Sequence, residues 1–260
     1  MSAVGTAESD MFSLRNRSFL ITGGTRGIGQ AISLRFARAG AKVVANYLRN
    51  DEAAAHAKAV AEEEGLDIVL CRADLTTERG LEQISTCLDE QGPQLSGLVH
   101  CAATGIHRRL EDLTERHFDW TFNLNVRVFF KLIKMLLPRF QNGSSVVAVS
   151  SWGASRALSH YSLVGSSKGA LEALARHVAA ELAPRGIRVN ILTAGTVLTD
   201  VWKALPDSEA RIAEALRRTP AGRLTTAEEI ACGAQFLCSD AAAGIVGHTL
   251  VIDGGAGIMA

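Results

Sequence analysis

Short apolar runs alternate with helical segments along almost the whole chain, and this alternation is the feature that most restricts its fold. Each run is bounded by glycine or polar residues and is followed by apolar residues at helical spacing. We predict strands over residues 18–22, 42–47, 67–71, 97–101, 145–150, 187–192 and 249–252. Strands that are apolar throughout are typical of a parallel sheet covered on both faces. The sequence therefore predicts an α/β fold with a doubly wound, seven-stranded parallel sheet of the Rossmann type.

Helices are predicted between these strands, and the pattern indicates one domain. The helical segments cover residues 29–39, 51–64, 77–90, 115–140, 161–183, 206–218 and 227–238. A chain of 260 residues can bury one large core, and it contains neither repeats nor a low-complexity linker. We expect a reductase-like domain over 14–260, a flexible extension over 1–13 and a substrate lid near 199–219.

The charge balance excludes several classes of partner. The chain has 27 basic and 27 acidic residues, so its net charge argues against a nucleic-acid partner or an electrostatic membrane anchor. Five scattered cysteines without a CxxC pair predict thiols in a reducing compartment, and no metal motif is present. No apolar run approaches the roughly 20 residues that span a bilayer. We therefore expect a cytoplasmic protein without a metal.

A glycine-rich turn joins the first predicted strand to the first helix. Glycines permit a tight turn there, and the helix N-terminus favours an anion such as a cofactor diphosphate. Such a motif is weak by itself, but its place in the first strand–helix unit favours a dinucleotide site. The candidate cofactor residues of this turn are Gly23, Thr25, Arg26, Gly27, Ile28 and Gly29.

The end of the second strand predicts which nicotinamide cofactor binds. Enzymes that select NAD usually place a carboxylate there, but this strand ends in Tyr47 and the nearest acid is Asp51. Arg26 and Arg49 could pair with a 2′-phosphate, so NADPH is preferred over NADH. The alternative is that both arginines are solvated surface charges.

Two further candidate cofactor residues, Asp74 and Leu75, follow the third strand. The Asp74 carboxylate could accept a hydrogen bond from the adenine amino group. It could equally cap the helix predicted to begin at Thr77.

Tyr161 stands seven residues ahead of Lys168, and this spacing bears on the reaction. Residues four and seven before a lysine share a helix face, but the longer spacing moves the hydroxyl about 4.5 Å along the axis. Reduction of a ketone creates negative charge on the oxygen of the carbon that receives hydride. Reduction of an enoyl thioester creates it two carbons further away. The spacing therefore favours reduction of a carbon–carbon double bond.

From about residue 14 to residue 255 the chain resembles the short-chain dehydrogenases/reductases. In ordinary members the tyrosine precedes the lysine by four residues, and Val164 occupies that position here. The longer spacing resembles the enoyl-acyl-carrier-protein reductase branch, and most of all its type III. The stretches that carry this resemblance are the glycine turn, 100–103, 119–125, 151, 161–174, 195–199, 219–223 and 253–255.

The resemblance implies catalytic roles for four residues. Tyr161 would stabilise an enolate, and Lys168 would bind the nicotinamide ribose while its charge favours ionised Tyr161. Ser151 would offer a second hydroxyl, although it could be a turn serine. Asn125 would brace the site and help to hold a water near Lys168, unless it only satisfies helix backbone.

The resemblance also implies two cofactor-binding loops and an assembly. The first loop contains Cys101, Ala102 and Ala103, where His100-Cys101 replaces the family's usual pair of asparagines. A structural role for His100 is favoured over contact with the cofactor. The second loop would meet the nicotinamide through Gly195, Val197 and Thr199. Because relatives are mostly tetramers, we expect a homotetramer.

Three functions remain open at this point. The first is NADPH-dependent reduction of an α,β-unsaturated acyl thioester, carried on acyl carrier protein or coenzyme A, in fatty-acid or polyketide-like biosynthesis. The second is reduction of a ketone or 3-oxoacyl group. The third, a nucleotide-binding regulator without turnover, is disfavoured because tyrosine, lysine, asparagine and serine all occur together.

Overall fold

The computed structural model describes residues 11–199 and 208–259, and these form one seven-stranded parallel sheet with helices on both faces. The strand order is β3-β2-β1-β4-β5-β6-β7. The predicted Rossmann-type architecture is thereby confirmed. The strands are β1 Ser18–Thr22, β2 Lys42–Tyr47, β3 Ile68–Arg72, β4 Leu95–His100, β5 Phe140–Ser151, β6 Arg188–Ala194 and β7 Thr249–Ile252.

The helices follow the predicted alternation with small shifts at their ends. They are α1 Gly27–Arg38, α2 Asp51–Glu63, α3 Glu78–Gln91, α4 Glu115–Phe122, α5 Val128–Leu136, α6 Ser162–Leu182, α7 Ser208–Arg217 and α8 Ala227–Cys238. Tyr161 is the residue before α6 and has a non-helical backbone (φ −121°, ψ 13°). The prediction that α6 begins at Tyr161 is therefore wrong by one residue.

The helical stretch predicted over 115–140, with a stop around Pro138, is interrupted at its centre and ends at Leu136. A π-helical turn, Asn123–Arg127, separates α4 from α5 and contains Asn125. The helix ends at Leu136, and Pro138, which has no N–H, follows in a turn. Phe140 already belongs to β5, where it pairs with Leu95. At its other end β5 extends to Ser151, one residue beyond the predicted strand.

The order of the strands determines where a ligand can bind. Sheet growth reverses between β1 and β4, which lie side by side with Thr22 paired to His100. In open α/β sheets this reversal leaves a crevice at the carboxyl ends of the strands. The glycine turn after β1, the loop after β4 and the end of β5 all open on that side.

Two apolar cores, one on each face of the sheet, hold the helices in place. One core joins α5 and α6 to the sheet through side chains such as Phe129, Leu132 and Leu171. The other joins α1 and α8 through Phe36 and Ile230. These residues are fully buried, so the positions of α1 and α6 relative to the strand ends are set by packing.

The N-terminal boundary lies earlier than predicted. The carbonyl of Met11 accepts from the Ala241 N–H at 3.1 Å, and that of Phe12 accepts from Gln235 Nε2 at 2.8 Å. Residues 11–13 are therefore fastened to the domain rather than part of a flexible extension.

Parts of two predicted segments lie outside the described residues. Residues 1–10 of the extension and 200–207 of the lid are among them, whereas α7 covers most of the lid's second half. Within 11–199 and 208–259, no helix is both long and apolar enough to cross a bilayer.

The packing of α1 on β1 gives a test of the fold. Phe36 is fully buried and meets Phe19 edge to face, with ring centroids 4.9 Å apart. We expect Phe36→Ala to lower the free energy of unfolding by about 3–5 kcal/mol, because it leaves a cavity. Leu110→Ala, at a side chain that is 74% exposed, should change it by less than about 0.5 kcal/mol. Urea unfolding of both variants would contradict this packing if the two losses were equal.

Candidate active site

The glycine turn after β1 is shaped to let a phosphate approach the backbone. Gly23 has φ +64°, and a Cβ there would lie 3.2 Å from Ala102 Cα. A Cβ on Gly29 would lie 2.0 Å from the Gly23 carbonyl oxygen. Helix α1 begins at Gly27, and Arg26 gives it no side-chain cap. Amide groups of the first turn thus lack side-chain partners, which fits a cofactor diphosphate at this helix N-terminus.

The charged groups at the end of β2 favour the binding of an anion. Arg26 and Arg49 are exposed, and within the described part of the chain neither forms an ion pair. Asp51, the nearest acid, pairs with Arg72 at 3.4 Å. Tyr47 is half-buried at the strand end. A carboxylate free to hold ribose hydroxyls is therefore lacking among these residues.

After β3, one of the two roles considered for Asp74 is excluded. The N-cap of α3 is Thr77, whose hydroxyl accepts from the Gly80 N–H at 3.0 Å. Asp74 Oδ1 instead accepts from the N–H and hydroxyl of Thr76, at 3.0 and 2.7 Å. The side chain of Leu75 is buried in the core on the α5 and α6 side, so only its backbone can face a cofactor.

The Thr22 hydroxyl, which the sequence analysis did not select, joins β1 to the loop after β4. Thr22 Oγ1 accepts from the N–H groups of Cys101 and Ala102, at 3.1 and 3.0 Å. It also lies 3.1 Å from His100 Nδ1. With both lone pairs occupied, the hydroxyl donates its hydrogen to Nδ1. Thr22 thereby braces the strand end where the family's usual asparagines are missing.

His100 is a structural residue beneath the candidate site, as the sequence favoured. Its side chain is almost fully buried, and burial lowers its pKa to about 3, helped by the nearby charge of Lys168. The ring is therefore neutral and carries its proton on Nε2. Within the described residues Nε2 has no hydrogen-bond partner.

Tyr161 and Ser151 meet at the carboxyl end of β5. Their hydroxyl oxygens are 3.2 Å apart. Burial raises the pKa of Tyr161, and the hydrogen bond to Ser151 only partly opposes this. Lys168 is not among the groups that shift this pKa, so its expected effect on the ionisation of Tyr161 stays a prediction. At neutral pH the phenol is thus a hydrogen-bond donor.

Lys168 is buried against β5, the strand that ends at Ser151. Its Nζ donates to the Val149 carbonyl at 2.8 Å. Burial lowers the pKa of Lys168 to about 8, against the opposing influence of Cys101 and Glu172. An amine poised in this way can donate to ribose hydroxyls and changes charge near neutral pH.

Glu172 is a second residue that the sequence analysis did not select. It lies one helical turn beyond Lys168, a spacing that could have identified it. Its Oε1 accepts from the hydroxyls of Ser150 and Thr193, at 2.6 and 3.3 Å. The carboxylate thereby ties α6 to the ends of β5 and β6.

Asn125 braces the loop after β4. Its Oδ1 accepts from the Thr104 N–H at 2.8 Å, and its Nδ2 donates to the Thr104 carbonyl at 2.9 Å and to Ser167 Oγ at 2.9 Å. The side chain is fully buried in the π-helical turn. Its amide therefore links the loop to α6, with both N–H groups donating and the oxygen accepting one hydrogen bond.

The loop after β6 returns over the glycine turn. Gly195 approaches Asp253 so closely that a Cβ would lie 2.7 Å from the Asp253 Cα. Val197 is buried, and Thr199 would lie 3.2 Å from a Cβ on Gly27. Both predicted cofactor loops thus lie against the glycine turn, since Ala102 approaches Gly23 and Thr199 approaches Gly27, and Ala103 is exposed.

Comparison with known proteins identifies the family. The family model described as "Enoyl-(Acyl carrier protein) reductase" matches residues 23–257. The chain is 35% identical over 248 residues to 1-cyclohexenylcarbonyl-CoA reductase of Streptomyces collinus, covering 95% of this chain and 89% of that protein. It is 29% identical over 254 residues to the enoyl-[acyl-carrier-protein] reductase [NADH] FabI of Escherichia coli, covering 95% and 96%.

A solved structure supports the same conclusion and adds a second chemistry. It is that of 7α-hydroxysteroid dehydrogenase complexed with NADH and 7-oxo glycochenodeoxycholic acid. The two chains are 32% identical with a TM-score of 0.88, over 95% of this chain and 96% of the other. The glycine cradle, the strand order and these matches agree: the chain belongs to the short-chain dehydrogenase/reductase family of nicotinamide-dependent oxidoreductases.

Proposed function

We propose that this protein reduces the carbon–carbon double bond of an α,β-unsaturated acyl thioester with NADPH. The observation that carries the proposal is the arrangement around Tyr161. Its phenol meets Ser151 at 3.2 Å, whereas Val164, the position of the family's usual tyrosine, is apolar and buried. The displaced Tyr161 hydroxyl, and not the side chain at position 164, can therefore serve a substrate oxygen.

The residues of the site fit the charge that this reaction creates. A bound nicotinamide cofactor would supply hydride to the β-carbon, and the thioester would become an enolate. Tyr161 stabilises that oxygen by hydrogen bonding as a neutral phenol, and Ser151 orients the phenol. Donors of this kind contribute several kcal/mol when they are preorganised. Lys168 holds the nicotinamide ribose, and Asn125 keeps the neighbouring loop in place.

Similarity supports the same choice of reaction. The relatives from Streptomyces collinus and Escherichia coli are both reductases of unsaturated acyl thioesters by name, one with coenzyme A and one with acyl carrier protein. The higher identity to the first favours a coenzyme A thioester as the first substrate to test. A role in fatty-acid or polyketide-like biosynthesis follows from this chemistry.

The arginines at the adenosine end support NADPH. Arg26 and Arg49 are exposed at the site where a 2′-phosphate would lie, and Asp51 is engaged by Arg72. Guanidinium groups bind phosphate through charge-assisted hydrogen bonds. A 2′-phosphate is therefore a better partner for this surface than a free ribose hydroxyl.

The second candidate is reduction of a ketone. The similarity to 7α-hydroxysteroid dehydrogenase, an enzyme named for action on a hydroxyl group, favours it. In that case the Tyr161 hydroxyl would serve the carbonyl that receives hydride.

We also propose that the chain assembles as a homotetramer. Trp120 and Phe130, on α4 and α5, are 45% and 47% exposed. Packing of these helices on a second copy would remove such aromatic surface from water. Sedimentation should then give a mass four times that of one chain.

The proposed reaction is tested with a matched pair of substrates. Purified protein and NADPH are supplied with crotonyl-CoA or acetoacetyl-CoA, and loss of nicotinamide absorbance is followed. We expect oxidation with crotonyl-CoA alone. Oxidation with acetoacetyl-CoA alone would replace the proposal by the ketone reductase.

Removal of the Tyr161 hydroxyl should affect turnover more than binding. We expect Tyr161→Phe to lower kcat with crotonyl-CoA roughly 10²–10³-fold, because an oxyanion donor is lost. The affinity for NADPH, measured by fluorescence titration, should change less than twofold. Ser162→Ala, at the exposed neighbouring position, is the control and should retain kcat. An unchanged kcat in Tyr161→Phe would remove this residue from the mechanism.

Removal of the guanidinium at position 49 should alter cofactor preference. We expect Arg49→Gln to raise KM for NADPH roughly tenfold to a hundredfold and to leave KM for NADH unchanged, because only NADPH has the 2′-phosphate. Arg116→Gln, an exposed arginine of α4, serves as the matched control. Equal effects on both cofactors would contradict a 2′-phosphate site.

Lys168 should make cofactor binding depend on pH. Its pKa in the folded protein is about 8, below the ordinary value of 10.5, so the charged form is present below pH 8 and is lost as pH rises. Affinity for NADPH should then be constant near pH 7 and fall above pH 8 by up to tenfold per unit. Lys168→Met should bind more weakly at pH 7 and show no such fall. A fall of the same size in that variant would assign the titration to another group.

A further inference from the structure

The loop that follows β4 is held rigidly over the start of α6. Asn125 binds both the N–H and the carbonyl of Thr104, at 2.8 and 2.9 Å. An amide that pairs with both polar groups of one residue fixes that residue's orientation as well as its position. The buried Asn125 side chain therefore sets the position of the loop residues just after Thr104.

One residue further, the loop backbone packs directly on Val164. A Cβ on Gly105 would lie 2.1 Å from Val164 Cγ2, so only glycine permits this approach. Val164 stands four residues before Lys168, where ordinary family members have the tyrosine. The loop thus packs beside the position at which ordinary family members carry the phenol.

This packing carries His107 to the displaced tyrosine. The His107 and Tyr161 ring centroids are 5.1 Å apart, with the rings at 76°. His107 is exposed, so its ring is accessible from solvent while it contacts Tyr161. Tyr161 itself is fixed by Gly153, where a Cβ would lie 2.4 Å from its Cε1. The imidazole therefore has a defined place next to the phenol.

The proposed reaction needs a second acid that the site described so far does not provide. Hydride addition to the β-carbon moves the double-bond electrons onto the thioester oxygen, which Tyr161 binds. A proton must then form the new bond at the α-carbon while the carbonyl is restored. Tyr161 serves the oxygen while Ser151 orients the phenol, and Lys168 is buried against the Val149 carbonyl.

We propose that His107 is a catalytic residue that donates this proton. The α-carbon is two bonds from the oxygen held by Tyr161, so a group beside that phenol can reach it. Imidazole is the side chain whose ordinary pKa suits proton transfer near neutral pH. The protonated ring gives an N–H proton to the α-carbon as the enolate C–O bond becomes C=O again, and the neutral ring that remains regains a proton from solvent. This assignment rests on the proposed enoyl reductase function.

The test compares His107→Phe, which keeps the ring contact with Tyr161, with wild-type protein. Turnover is measured with NADPH and crotonyl-CoA. We expect kcat to fall roughly 10²-fold, since a positioned acid contributes about that factor or more. Affinity for NADPH should stay within twofold, which also verifies folding. His177→Phe, at an exposed position of α6, is the matched control and should keep wild-type kcat.

A second measurement follows the proton itself. Reduction of 2-methylbut-2-enoyl-CoA creates a stereocentre at the α-carbon, and chiral chromatography of the product reports the face that is protonated. Wild-type protein should give one configuration, and His107→Phe a mixture, because water then protonates the enolate. Gly105→Ala should act in the same direction by displacing the loop from Val164.

The outcomes separate the two proposals. If His107→Phe keeps kcat within twofold on crotonyl-CoA, His107 is not the acid, and the reductase function is unaffected. If wild-type protein turns over acetoacetyl-CoA but not crotonyl-CoA, the enoyl reductase function fails first, and the role of His107 fails with it.

Discussion

The buried amine of Lys168 is the constraint on which the rest of the site depends. An amine taken out of water is costly unless polar groups compensate for the lost hydration. Here the Val149 carbonyl accepts its hydrogen bond and the Glu172 carboxylate lies one helical turn away. These contacts set the position of α6 along the axis of β5. The same register brings Tyr161, at the start of α6, to Ser151 at the end of β5.

Hydrogen bonds between the end of β1 and the loop after β4 hold the cofactor side of the site in place, and none of the groups involved is charged. The Thr22 hydroxyl uses both lone pairs for the N–H groups of Cys101 and Ala102 and its hydrogen for His100. Burial keeps that imidazole neutral, with a pKa of about 3. Hydrogen bonds among uncharged groups therefore join β1 to β4 at the point where the strand order reverses. The backbone of the cleft can then remain open to a cofactor diphosphate.

Periodicity predicted the strands and helices, but not the contacts that depend on tertiary structure. The start of β5 was missed because residues 141–144 are polar and read as a loop, although Phe140 pairs with Leu95. Tyr161 and Lys168 could be found from spacing, since both belong to one helix and its entry. The effect of burial on the Tyr161 phenol could not, because it depends on residues distant in sequence. His107 lies in a loop without periodicity, so no local pattern indicated its contact.

The displaced tyrosine and the loop after β4 are best understood as one structural change. Val164 leaves room for a loop backbone that has no side chain at Gly105, and the loop carries His107 to the phenol. A tyrosine at position 164 would need the space that this loop fills. Conversely, a bulkier residue at position 105 would be excluded by Val164. The small Val164 and the bare backbone of Gly105 therefore allow this loop conformation, and the same conformation places the His107 imidazole against the displaced phenol ring.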